Sequence, residues 1–234
     1  GGSDTKVLLH STLNNAGTLN QTAAGTHNSF GNLTFNNTGT VNVDAGTLRI
    51  DGGGTDTGLY AVDAGTTLQF NGGTRNLNAG SNITGLGTLD VSLSTVNVNN
   101  LLGITATGAA LNISGGTLNL NSALTVAATT PVNLSGGTLG GTGNVIVAGA
   151  FNATGTSSLA GTGILTTQRT STVSMAVANG ALNLNGTTWI RHTGSGRLSP
   201  VPPNTVQPLE SRDIIVLGHP RGRHVSLRVV LSHP

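Results

Sequence analysis

The sequence predicts an all-β chain wound as a right-handed parallel β-helix, a β-solenoid with about 21 residues per coil and about nine coils. Three observations carry this expectation. One turn phrase returns almost unchanged, as Asn112-Ile-Ser-Gly-Gly-Thr-Leu118 and again as Asn133-Leu-Ser-Gly-Gly-Thr-Leu139. Related turns open at Asp51, Asn71 and Ser92, and with Ser114 and Ser135 they keep a step of about 21 residues throughout. A period this steady marks a stacked repeat. Next, apolar residues come in pairs with one residue between them, as in Leu89/Val91, Val96/Val98, Leu111/Ile113, Leu118/Leu120, Val132/Leu134 and Val145/Val147. Period-two spacing puts both members on one face of a short strand. Finally, the residues between pairs are Gly, Asn, Ser and Thr, which suit tight turns.

Three short strands and three turns fill each period, and the turns and remaining sides provide the crossover that parallel pairing needs, with a right-handed path expected. Competing readings explain less. Frequent Gly and the two-residue period argue against helices. The leucine-rich-repeat frame is missing. An antiparallel sandwich accounts for short strands but not for a turn phrase that returns at a constant step.

Taken in order, residues 7–50 carry weaker pairs, Leu33/Phe35, Val41/Val43 and Leu48/Ile50, with a second turn phrase in Asp44-Ala-Gly-Thr-Leu48 and Asp63-Ala-Gly-Thr66. These two copies lie close to one period apart and are expected to stack. Residues 52–60 read as a longer loop leaving the coil. Residues 68–190 are the most regular stretch, with Leu182/Leu184 as the last pair. The body is therefore assigned to 1–196. Beyond it lie six of the seven Pro but only two of the 36 Gly. Residues 197–234 form an atypical Pro/Arg-rich tail, expected outside the coil as a cap, a linker or the product of a reading-frame slip.

Composition bounds the chemistry. The 234 residues include no Cys, which excludes a disulfide framework and zinc–thiolate sites. No apolar run approaches membrane-spanning length, so no membrane insertion of this segment is expected. Charge is sparse, at 8% of residues, and the excess of Arg lies in the tail. Without aromatic interleaving that tail is not read as a nucleic-acid site. The chain opens in mid-pattern at Gly1-Gly2-Ser3 and is expected to be a piece of something longer.

The phrases Gly116-Thr-Leu-Asn-Leu120, Gly137-Thr-Leu-Gly-Gly-Thr-Gly143 and Gly180-Ala-Leu-Asn-Leu-Asn-Gly186 resemble the repeats of bacterial surface β-helices, namely autotransporter passengers and filamentous-haemagglutinin-type adhesins. The resemblance covers 1–190. It implies export to the cell surface or beyond the outer membrane and a stalk or adhesin role, with a surface glycan or protein as partner.

Candidate sites are few. Asp44, Asp51, Asp56 and Asp63 with Arg75 are the charged residues a polysaccharide lyase or hydrolase could use, and oxygen-rich clusters can hold calcium. Against this, Asp44, Asp51 and Asp63 take turn positions that Asn and Ser fill elsewhere. Outward rows Gln69, Asp90, Asn112, Asn133 and Asn97, Asn119 read as amide ladders. Thr-x-Thr recurs only at Thr105/Thr107 and Thr170/Thr172, too little for an ice-binding face. Phe35 and Phe70 sit at core positions. His219, His224 and His233 lack a carboxylate cluster. No catalytic, cofactor or metal residue is assigned. The expected function is a secreted or surface-exposed β-helical stalk or adhesin without catalysis, prone to end-to-end self-association at uncapped ends. The alternative is a carbohydrate-active enzyme with a site near Asp44 to Arg75.

Overall fold

The computed structural model describes residues 11–28, 33–100, 110–169 and 171–175, and strands at 188–191, 198–201, 214–217 and 225–229. The described residues fold as a β-solenoid of about seven turns, with parallel pairing between strands about 21 residues apart and no helix. Pairs expected at Leu182/Leu184, the Thr105/Thr107 motif, Phe30 and His219, His224 and His233 lie outside the described residues.

Three faces enclose the core. The first is an eight-stranded sheet whose strands include Thr12–Asn15, Thr34–Asn37, Gly54–Asp56, Thr74–Leu77, Thr95–Val98 and Thr117–Leu120. The second carries Thr18–Gln21, Thr40–Val43, Leu59–Val62 and Asn82–Gly85, and further along Leu124–Val126, Val145–Val147 and Leu165–Thr167. The third runs from Thr26–Asn28 through Thr47–Ile50, Thr67–Phe70, Thr88–Val91, Leu111–Ile113 and Val132–Leu134 to Phe151–Gly155 and Ser171–Met175.

The strands are short because each holds one apolar pair and must then turn. Their repeated Thr-apolar-Asn-apolar phrase buries the second and fourth residues and leaves the first and third at the surface, as in Thr95–Val98 and Thr117–Leu120. Register then stacks like on like. On the third face Leu48, Leu68, Leu89, Leu111, Val132 and Phe151 form one interior column. Ile50, Phe70, Val91, Ile113, Leu134 and Ala153 form the next. Each buried Val, Leu or Ile contributes roughly 1.5–3 kcal/mol, so the columns hold the coils together. Turns use glycine where the backbone demands it: Gly46, in the Asp44-Ala-Gly-Thr phrase, has φ +61°, a conformation that costs other residues strain.

One expectation is corrected. Residues 52–60 do not leave the coil: Gly54–Asp56 and Leu59–Val62 are strands paired with the coils on both sides. The glycines are there because the backbone is approached closely, and a Cβ on Gly54 would collide with the Phe35 carbonyl oxygen.

Beyond Ser171–Met175 the third face continues differently. Val225–Val229 pairs with it in parallel, and then Ile214–Leu217, Thr188–Arg191 and Leu198–Val201 add in antiparallel order. Ile214–Leu217 and Val225–Val229, both in the tail, are therefore strands of this sheet.

The register fixes a sharp mutational contrast. Ile113→Asp places a charge in a column that is 0% exposed at that position and should cost about 4 kcal/mol or more. Asn112→Ala, one residue away but partly solvated, should cost about 1 kcal/mol or less. Thermal melts of the two variants check this, and equal shifts would contradict the register.

Candidate functional site: the segment Asp44 to Arg75 and the outer amide rows

The four aspartates close in sequence occupy three separate places. Asp44 and Asp63 sit at equivalent corners of adjacent coils, where Val43 and Val62 are register partners. Both are exposed. Their backbone amides donate to Gln21 O and Val43 O, at 2.9 and 3.0 Å, so the corner is held by main-chain bonds. Asp51 lies at a different corner. Its Oδ1 accepts from Arg49 Nε at 2.6 Å and from Asn71 Nδ2 at 2.8 Å, and Asn71 Oδ1 in turn accepts from Ser92 Oγ at 2.7 Å. Asp51, Asn71 and Ser92 are thus one turn row.

Asp56 points inward. It takes the position that Leu77, Val98 and Leu120 hold in later coils and is 0% exposed. Its partner is Arg75, also 0% exposed, which stands at the register position of Gly54. Because Gly54 contributes no side chain, the guanidinium runs along the solenoid axis through that coil. Arg75 Nη1 donates to Asp56 Oδ2 at 2.6 Å, to Phe35 O at 3.2 Å and to Tyr60 Oη at 3.4 Å, while Nη2 donates to Gly52 O at 3.2 Å. Its carbon lies 5.6 Å from the Phe35 ring centroid and 5.1 Å from that of Phe70, within cation–π range. Tyr60 meets Phe70 edge to face at 5.9 Å. Asp56 Oδ1 accepts from the Asn37 amide at 2.9 Å. Asn37, equally buried, donates to Leu59 O at 3.1 Å and accepts from Asn15 Nδ2 at 2.9 Å. A polar column, Asn15, Asn37, Asp56, thus opens the interior before it becomes apolar.

Burial raises the Asp56 carboxyl above its ordinary 3.8, against the opposing charge and hydrogen bonds of Arg75 and the bonds from Asn37 and Tyr60. Burial likewise pushes the Tyr60 hydroxyl well above the phenol range. Sealed from solvent on every side, the cluster has no room for a substrate. What it can do is fix structure.

The outer rows carry runs of hydrogen-bonded amides, interrupted on the first face at Thr55, whose backbone amide donates to Asn36 Oδ1. On the first face Asn36 donates to Asn14, Asn97 to Asn76 and Asn119 to Asn97, each at 2.9 Å. On the third face Gln69 donates to Asp90 at 2.8 Å, and Asn133 to Asn112 and Asn152 to Asn133 at 2.9 Å. These are the rows expected from the sequence, with Asn14, Asn36, Asn76 and Asn152 added. Among the described residues no three His, Asp or Glu side chains gather as a metal site would require. A surface recess between Leu139 and Leu165 is lined only by glycine and apolar residues.

No protein-family model matches the chain, and neither do any curated protein or solved structure.

The interior pair gives a pH signature. The folded Asp56 carboxyl takes up its proton at higher pH than the unfolded one, so the stability it contributes is complete below 3.8 and is lost as pH rises through the raised folded value. Arg75→Met removes what opposes the rise and orphans a buried carboxylate, so at about pH 7 it should cost about 3–5 kcal/mol. Toward about pH 4 the orphaned carboxyl can protonate, and the penalty should shrink. Melting curves across that range check the sign. A penalty that grows on acidification would contradict it.

Proposed function

We infer that this chain is a segment of a secreted or cell-surface β-solenoid stalk or adhesin, with a structural or binding role and no catalysis. The observation that carries this reading is the distribution of its charge and amides. The charged groups of the Asp44 to Arg75 segment either pair within one turn row, are locked in the interior, or stand exposed at one corner. They do not converge on a shared space. Outward amides bond to one another along much of the stack, leaving long rows of low charge of the kind that suits an extended rod or a repetitive partner such as a glycan. Surface β-helices share this repeat grammar, which favours export and display over an intracellular role.

The enzymatic alternative has one specific place left to it, the exposed corner where Asp44 and Asp63 occupy adjacent coils. Incubating the purified chain with a panel of polysaccharides separates the readings. The expected result is no release of reducing or unsaturated ends, with retention of the chain on at least one insoluble glycan or surface-protein preparation. That retention should be lost when the outer row is broken by Asn97→Arg and Asn119→Arg. Product release abolished by Asp44→Asn with Asp63→Asn would overturn the proposal.

A further inference from the structure

A solenoid whose coils carry near-identical phrases has competing registers. One coil can be left out while the next takes its place, and where phrases match the stacking contacts are restored. The step from Thr95–Val98 to Thr117–Leu120 and on to Thr138–Gly140 is of this kind, since Val96, Leu118 and Leu139 are interchangeable in type. Skipping the middle coil there forfeits that coil's own burial and little else.

The step from Gly54–Asp56 to Thr74–Leu77 is different. Arg75 fits only above Gly54, where a missing side chain leaves the axial path open, and only there does it reach Asp56, Phe35 O and Gly52 O together. Were the Arg75 coil skipped, Val96 would stand over Gly54. Asp56 would be buried without a cation, and two buried carbonyls would lose their charged donor. The mismatch adds a penalty that the uniform steps lack.

We propose that the Asp56–Arg75 pair, seated in the gap at Gly54, is the register lock of the solenoid. It fixes which coil follows which at the point where the interior changes from a polar to an apolar column. Buried ion pairs contribute little or nothing to net stability once desolvation is counted, and specifying register is their best-attested use. The neighbouring Asn15 and Asn37 extend the device toward the start of the chain, because the next coils hold Leu77, Val98 and Leu120 at that interior position.

The chain has no Cys, so introduced thiol pairs report register directly. Outward positions 55, 76 and 97 lie in consecutive coils. Adjacent coils are about 4.8 Å apart, within disulfide reach, whereas positions two coils apart are at about 9.6 Å and are not. Refolding under a pulse of oxidant should therefore link Thr55→Cys to Asn76→Cys and leave Thr55→Cys with Asn97→Cys open. Across the uniform step the slipped reporter Asn97→Cys with Gly140→Cys should link severalfold more than Thr55→Cys with Asn97→Cys, in chains that keep the pair intact. Adding Asp56→Leu and Arg75→Met should raise linking of the 55–97 reporter to the level of the 97–140 one. Equal linking at the two steps in the intact chain would overturn the proposal, whether or not the doubly substituted chain folds.

Discussion

The coils of this solenoid depend on parallel backbone pairing at an offset of one coil. Each strand donates to and accepts from its equivalent in the next coil, so every residue is faced by the one that repeats it. That constraint turns composition into architecture. Where the repeat supplies Leu or Val inward, an apolar column results; where it supplies Asn outward, an amide ladder results. The ladder is stabilising because an Asn carries both a donor and an acceptor and can serve the rung on either side. Like charges stacked the same way would repel, and the charges that the third-face row holds, Arg49 and Asp90, are opposite in sign and separated by Gln69. Asp90 is tolerated within its row because Gln69 and Ser114 donate to its two oxygens.

Those parts that obey the repeat are legible from the sequence. The strand phrase, the pairs Ile113/Leu134 and Leu118/Leu139 on facing registers, the turn rows and the outward Asn positions all follow from the constant step between turn phrases. Phe35 and Phe70 are placed in the core by the same logic, and both are buried. The interior ion pair escapes that reading for a physical reason. Sequence proximity groups Asp56 with Asp44, Asp51 and Asp63, yet in a solenoid proximity along the chain says little beside phase within the coil. The signal is present: Thr74-Arg-Asn-Leu77 is the strand phrase with Arg in a buried position, and Gly54 is the residue one coil below it. Aligning the two coils rather than scanning for carboxylates exposes the pair. The loop expected at 52–60 fails for the same reason, because three consecutive glycines look like a departure from the coil until the backbone of the neighbouring coils that crowds them is known.

The same constraint shapes function. A coil repeated with small changes makes rows and flat faces, while a cleft requires a loop or a broken rung. Among the described residues the Asp56–Arg75 pair is turned into the core, while Arg49 and Asp90 stand in the outward row of the third face. The proposed stalk or adhesin role rests on the regularity of the coils. The far end of the third face departs from it: strand 225–229 joins in parallel, and strands 214–217, 188–191 and 198–201 then add with antiparallel pairing. The pairings of 188–191 with 198–201 and of 214–217 with 225–229 join consecutive antiparallel strands, which the one-coil offset does not produce.

The central claim is that distance along the molecule is counted in coils. Outward positions Asn14, Asn76, Asn119 and Gly140 belong to the first, fourth, sixth and seventh strands of the first face. With nitroxide labels on Cys introduced in pairs at these sites, electron–electron resonance should return separations that add as the coils do. At about 4.8 Å per step, these are about 14 Å from 14 to 76, about 24 Å from 14 to 119 and about 29 Å from 14 to 140, apart from a constant label offset. Separations that fail to grow with coil number, or that close back at 140 as in a barrel or sandwich, would contradict the solenoid account.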